Sequence, residues 1–234
     1  MKTLVVLSVL LATSLAIGQP AKSPVFNSVR ASHDVALDTN PKSAFWQGAE
    51  PAYIGSDNRT GKAVAEKAEV RSRWTEKNLY LLFICPYHVL SLKPNPDTKS
   101  ETFQLWNWDV AELFIGYDFK NIRRYKEFEI SPQGEWIDLD IDAGNPHHEN
   151  GWKWNSGYQV SARIDRKKKI WYGAMRIPMR SIYPHPATVG TIFRANMFRT
   201  EGPLPADEYA WSPSMNNTFH IPERFGLLKL VDHK

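Results

Sequence analysis

Along most of the chain apolar and polar positions alternate in short runs that turn residues interrupt, the pattern of half-buried strands in an antiparallel sheet. Val70 to Trp74 and Leu79 to Cys85 flank Thr75-Glu76-Lys77-Asn78, which predicts a hairpin. Further strands are predicted over Val110 to Tyr117, Tyr125 to Ser131, Glu135 to Ile141, Tyr158 to Ile164, Ile170 to Ile177, Thr191 to Arg199 and Gly226 to Val231. Ser131-Pro132-Gln133-Gly134 has the chemistry of a β-turn, and Asp165-Arg166-Lys167-Lys168-Lys169 that of a charged loop. Only Met179 to Ile182 suggests a helical turn. The fold class expected is all-β, a single β-sandwich.

Because successive side chains of a strand point to opposite faces, each run divides into a core set and an opposite set. Ala111, Leu113, Ile115 and Tyr117 are expected inward, leaving Val110, Glu112 and Phe114 opposite. Phe128 and Ile130 point inward, with Tyr125, Glu127 and Glu129 opposite. Ile137, Leu139 and Ile141 are placed in the core, with Trp136, Asp138 and Asp140 opposite. Phe193, Ala195 and Met197 go inward, and Arg194 and Asn196 outward. If these strands are neighbours, their second faces assemble carboxylates, an Arg, an amide and aromatic rings. Such a surface suits sugars, whose hydroxyls take charged or amide partners while an apolar pyranose face stacks on a ring. It equally describes a solvated sheet face crossed by salt bridges.

The ends and the composition set the context. Residues 1 to 18 combine Lys2, an apolar run from Leu4 to Ile17 and small residues, and read as a secretory signal peptide cleaved near Gly18/Gln19. The run is too short for a membrane span. Residues 19–30 are expected to be a flexible leader and residues 31–234 the domain, secreted or periplasmic. The net charge of +4 is too small to point to a nucleic-acid partner. The single cysteine, Cys85, rules out an internal disulfide framework, and its apolar run makes it a buried core thiol. Nine tryptophans are more than a core of this size needs, so some are available for a ligand; Trp46, Trp74 and Trp211 are assigned to the framework.

Four segments, in order, add a family resemblance. LWNWDVAELFIGYD at residues 105–118 resembles the W-x-x-D-x-x-E-hydrophobic-F-I signature of the family 9 carbohydrate-binding modules of secreted bacterial type. VRSRWTEKNLYLLFIC is similar to that family's W-x-x-x-x-L-Y strand pair. Leu37-Asp38 with Phe45-Trp46 and Ala49-Glu50 resembles its opening element, and AWSPSMNNTFHIPERFGLLKL its closing stretch. The resemblance spans roughly residues 34–231. It implies a jelly-roll-like sandwich that binds saccharide without catalysis and supports polysaccharide breakdown or uptake; the partners expected are separate secreted glycoside hydrolases, with a scavenging or surface-associated binder as the alternative. Trp106 and Phe219 would be the stacking rings, Phe219 standing where the family has Trp. Glu112 and Asn216 would meet sugar hydroxyls, and Glu129 falls where the family has an Arg. The family also often carries structural calcium.

Other readings compete. Glu127, Glu129, Asp138 and Asp140 crowd one predicted face, as the paired carboxylates of a glycoside hydrolase would. His147, His148, His185, His220, Met179 and Met197 supply side chains of the kind that ligate haem in related sandwiches. Asp138, Asp140 and Asp142 form an acidic row open to calcium, or simply to solvent. Trp152, Trp154 and Tyr158 could form a protein-binding surface or cover a sheet edge.

Overall fold

The computed structural model describes residues 23–147 and 150–233. The signal-peptide reading, the first residues of the leader, and His148 lie outside the described residues. The strands are β1 (Val25–Arg30), β2 (Pro51–Asp57), β3 (Ala63–Trp74), β4 (Asn78–Pro86), β5 (Val110–Gly116) and β6 (Arg124–Ile130). They continue as β7 (Trp136–Asp142), β8 (Gln159–Asp165), β9 (Ile170–Pro178), β10 (Ile192–Glu201), β11 (Asp207–Ala210) and β12 (Gly226–Val231). Two single-turn helices, α1 (Ala44–Gln47) and α2 (Met179–Ile182), complete the elements with two short 3₁₀ turns.

One hydrogen-bonded sheet runs β7-β6-β5-β10-β11-β2-β3-β4-β9-β8 and folds over on itself, with β1 and β12 closing a second seam between β3 and β10. All pairings are antiparallel except those of β1, which runs parallel to both β12 and β3. The main core fills the space between the two halves. Val70, Leu81, Phe83, Trp171 and Met175 come from one half, and Leu113, Ile115, Phe128, Phe193, Met197 and Leu228 from the other. Cys85 belongs to this core, where burial pushes its thiol up to about 12, so the thiolate does not form at neutral pH.

Each half is also covered on its outside. β4 is buried on both faces, which is why Leu79 to Cys85 reads as a continuous apolar run. Tyr80 and Leu82 point away from the main core and meet Trp46 of α1. The indole of Trp46 donates to the Asp38 carbonyl at 2.7 Å. On the other half, Val110, Phe114, Tyr125, Ile137, Leu139, Ile141 and Phe198 form a second apolar layer under loops.

Three expectations change. Residues 25–30 are not part of a flexible leader but the strand β1. Phe26 and Val29 are buried there, Ser72 donates to Ser28 at 2.8 Å, and the Trp74 indole donates to the Val231 carbonyl at 2.9 Å across the same seam. Tyr117 lies beyond the end of β5, 44% exposed, with its ring edge-on to Tyr183. The third change is on β7, whose faces are the reverse of those expected. Ile137, Leu139 and Ile141 pair with Glu129, Glu127 and Tyr125 and share their side of the sheet, while Trp136 and Asp138 pair with Ile130 and Phe128. The apolar set of β7 lies in the second layer, and alternation alone cannot distinguish two apolar layers.

Candidate functional site

The outer face of β10, β5, β6 and β7 is floored by a defined register. Phe198 lies opposite Glu112, Glu112 opposite Glu129, Phe114 opposite Glu127, and Glu127 opposite Leu139. Cross-strand partners share a face, so carboxylates and apolar rings alternate across this floor. Loops rise around it to enclose a cavity of about 510 Å³, of the size that takes a small organic ligand. Trp106, Phe103, Trp152, Leu204 and Phe219 form its walls, and Glu112, Glu127, Phe114, Leu139 and Ile141 its floor; Asn217, His220, Arg59 and Glu208 add polar groups.

Each wall is held by local structure. Trp106 sits in the 3₁₀ turn Leu105–Asn107, where fully buried Leu105 anchors the turn and leaves the Trp106 ring 36% exposed. Phe103 packs edge-on to Trp106 at 5.4 Å. Just after the turn, the Asp109 carboxylate accepts from the Ser91 N–H at 3.0 Å and the Gly202 N–H at 2.7 Å, joining three loops. Burial pushes Asp109 up to about 6 against these bonds. Phe219 stacks on Phe198 of β10. Trp152, with a positive φ of 59°, is fixed by an N–H bond to the Asn150 side chain at 2.8 Å and by its carbonyl, which accepts from the Asp140 N–H at 2.9 Å.

At the floor, Glu112, Glu127 and Glu129 are all buried, and one oxygen of each lies within 4.8 Å of the others. Burial, followed by the charges of Glu127 and Glu208, raises Glu112 well above the usual carboxylate range. Glu129 is raised by burial, then by Glu112 and Glu127. His220 bridges outward: its Nδ1 is 2.8 Å from the Tyr125 hydroxyl and its Nε2 is 4.0 Å from Glu127. Arg59, itself half-exposed, pairs with Glu208 at 3.5 Å.

The structure brings Trp106, Glu112 and Phe219 to one cavity. Glu129 lies beside Glu112 beneath its floor without lining it. Asn216 does not line the cavity either. Its side chain accepts from the Asn217 N–H at 2.8 Å and its carbonyl from the Asn58 amide at 3.1 Å, and the amide that reaches the cavity is Asn217. Trp152, Phe103 and His220 were not singled out for this site by sequence. Trp152 is far from Trp106 in the chain, and only the alternating Gly151-Trp152-Lys153-Trp154 run marked it.

The competing groupings separate. Trp152 faces the cavity, Trp154 lies under Lys126 Nζ at 4.2 Å, and Tyr158 is buried with its hydroxyl donating to the Ile137 carbonyl at 3.0 Å, so the three form no single surface. Met179 and Met197 are in the main core, and Met197 faces the opposite side of the sheet from His220. The acidic row also divides. Asp138 accepts from the backbone and hydroxyl of Ser156, Asp140 pairs with Lys126 at 2.7 Å, and Asp142 pairs with Arg124 at 3.3 Å.

No protein-family profile matches the chain, and no curated protein matches it by sequence. Solved structures do match in fold. A Bacteroides uniformis protein described as carbohydrate-binding superposes with a TM-score of 0.68 at 16% identity, over 89% of this chain and 99% of that one. A family 9 carbohydrate-binding module from Caldicellulosiruptor kristjanssonii gives a TM-score of 0.59 at 14% identity in its cellotriose complex, over 90% of this chain and 95% of that one. Its glucose complex gives the same score and identity, over 97% of that chain. The chain therefore has the β-sandwich fold of the family 9 modules.

Proposed function

We propose that this protein is a family 9-like carbohydrate-binding module that holds a saccharide in the cavity of the β10-β5-β6-β7 face, by stacking and hydrogen bonding and without covalent chemistry. The observation that carries the reading is that Trp106 and Phe219, from loops more than a hundred residues apart in sequence, wall one cavity whose floor presents Glu112. Rings take the apolar face of a pyranose and carboxylates its hydroxyls. The neighbouring folds include a module bound to cellotriose and to glucose, which supports the ligand class. We place the mature domain outside the cytoplasm, on the signal-like first 18 residues, in the breakdown or uptake of polysaccharide beside separate hydrolases.

Hydrolysis fits the geometry less well. Retaining glycosidases set two carboxyl groups about 5 to 5.5 Å apart across the scissile bond, and inverting ones set them farther apart. Here Glu112 and Glu127 enter from one floor with oxygens within 4.8 Å, and the further carboxylate among the described lining residues, Glu208, stands opposite Thr200 on that same face of the sheet and is paired with Arg59, so no carboxylate among them faces the pair across the cavity.

Isothermal titration of the mature domain against mono- and oligosaccharides, with Trp106→Ala beside it, tests the reading. Removing a stacking ring should cost about 1 to 3 kcal/mol, roughly ten- to a hundredfold in affinity. Binding that Trp106→Ala leaves intact, or a broad panel that gives no heat with folded protein, overturns it; release of reducing ends from the panel would overturn its non-catalytic part.

A further inference from the structure

The charges around the cavity are unbalanced, and the imbalance selects among saccharides. Resting on the reading that this cavity holds a saccharide, we propose that its ligand is an amino sugar with a free, protonated amine, whose ammonium group sits on the floor between Glu112 and Glu127. Among the described lining residues the ionisable groups are Glu112, Glu127 and Glu208 against Arg59 and His220. Arg59 and Glu208 answer each other at 3.5 Å. His220 Nδ1 is engaged with the Tyr125 hydroxyl at 2.8 Å, and its Nε2 approaches Glu127 only at 4.0 Å. The cationic side chains of β10 are occupied elsewhere: Arg194 donates to the Pro222 carbonyl, and Arg199 pairs with Glu201 at 3.0 Å. No cation among the described residues stands against Glu112.

Glu112 is the group that points to a ligand. It is only 2% exposed, it lines the cavity, and its Oε1 has no hydrogen-bond partner among the described residues. Glu127 and Glu129, in contrast, share a side-chain hydrogen bond. An unmatched buried acceptor is costly, and such groups are retained where something arrives to satisfy them. Glu112 faces Glu129 across the β5-β6 ladder, and Glu127 is the alternate residue of β6, which brings oxygens of Glu112 and Glu127 within 4.8 Å. Ammonium–carboxylate bonds are about 2.7 to 2.9 Å long, so one nitrogen reaches both.

A sugar hydroxyl answers this floor less fully. It donates one proton, carries no charge and adds lone pairs to a surface already rich in acceptors, whereas an ammonium has three donors and no acceptor. Burial, then the charges of Glu127 and Glu208, raise Glu112, and a cation beside it favours its ionised form. Ammonium and carboxylate therefore stabilise each other in the cavity. The walls suit the same ligand, because the rings of Trp106, Trp152 and Phe103 attract a cation as well as an apolar pyranose face. N-acetylation removes the charge and leaves one N–H, which makes the unacetylated sugar the better match.

The test is titration calorimetry of the full-length mature protein at about pH 6, where a primary amine is protonated. The ligands are the β-1,4-linked trimers of glucosamine, N-acetylglucosamine and glucose, which differ only in the group on C2. The glucosamine trimer should bind about ten- to a hundredfold tighter than the other two, the worth of a hydrogen bond to a charged group. Glu112→Gln should bring the ratio of glucosamine-trimer to cellotriose affinity close to one. Glu127→Gln should lower the same ratio and is the second variant should the first not melt cooperatively. Equal affinities for the glucosamine trimer and cellotriose overturn the amine preference while leaving saccharide binding in place. A preference that both variants retain overturns it equally, by placing the amine elsewhere. No binding of any trimer to folded protein overturns the saccharide reading itself, and this inference with it.

Discussion

The Phe219 ring lies flat on Phe198, the centroids 4.2 Å apart and the planes 11° from parallel. Phe198 is fully buried on β10, and Phe219 is the partly exposed ring that reaches the cavity. The wall is thus a two-ring stack whose inner ring belongs to the core and whose outer ring belongs to the ligand.

This division predicts different losses on truncation. Phe198→Ala should destabilise by about 3 to 5 kcal/mol, as for large buried rings generally, seen as a lowered urea midpoint. Phe219→Ala should cost much less stability but reduce saccharide affinity roughly tenfold or more, read by titration calorimetry. Equal stability losses in the two variants would make Phe219 a packing residue.

Trp152 should share in binding. Its ring walls the cavity, and its indole Nε1 has no hydrogen-bond partner among the described residues. Trp152→Ala should weaken saccharide binding about tenfold, and Trp152→Phe should recover the stacking part of the loss. Titration of both variants against the tightest sugar of the panel decides it.

Stability should rise as pH falls from 8 to about 5. A carboxyl group whose folded value is raised holds its proton in the folded state after the unfolded chain has lost it. Its stabilising share is therefore complete below the unfolded value and declines as pH rises toward the folded one. Glu101, raised by burial and then by Asp138 to about 7 from 4.5, and Asp109, at about 6 from 3.8, set this window, and Glu112 and Glu129 act in the same direction. Asp57 and Asp165, held low by hydrogen bonds with Thr60 and Lys168, act below 3.8 and do not oppose it. Tm measured against pH in chelator should show the rise, and Glu129→Gln should flatten it.

Gly226 should not tolerate a side chain. A Cβ there would fall 2.4 Å from the Trp211 ring and 2.7 Å from the Pro24 carbonyl oxygen, and neither a ring packed against the core nor a backbone atom can move aside cheaply. Gly226→Ala should destabilise by about 1 to 3 kcal/mol, or roughly 2 to 12 °C in Tm for a chain of this size. A scanning calorimetry trace unchanged from wild type would contradict this packing.

The face carrying Glu112, Phe114, Tyr125, Glu127 and Glu129 was legible from period-two alternation, because on β5 and β6 one face meets the main core and the other the site. β7 was misread because its carboxylates lie on the side away from the site, Asp138 bonded by Ser156 and Asp140 paired with Lys126, while its apolar set joins the second layer on the site face. The edges of the pattern were harder to read. β1, β2 and β11 lack clean alternation and owe their places to partners distant in sequence, as Phe26 beside Trp211 illustrates. In the site, Trp106 could be placed in advance because its segment, residues 105–118, resembles a family signature. Trp152 and Asn217 could not, because their positions depend on how loops such as the one around the Asn150 bond settle over the sheet. Asn216 and Asn217 differ only in which way a turn presents them, and the Asn58 amide bonding the Asn216 carbonyl decides that.

The parallel pairing of Val25 with Leu227 and of Val29 with Val231 has a consequence for the order of assembly. Without β12, strand β1 keeps only its two-residue ladder to β3, and β10 loses a neighbour. The first strand must therefore wait for the twelfth before its edge is satisfied. Contacts this remote in sequence carry a large loop-closure cost and slow folding. Closure of the seam is then a late event, and the sheet stays open along it until β12 has formed and folded back onto β1.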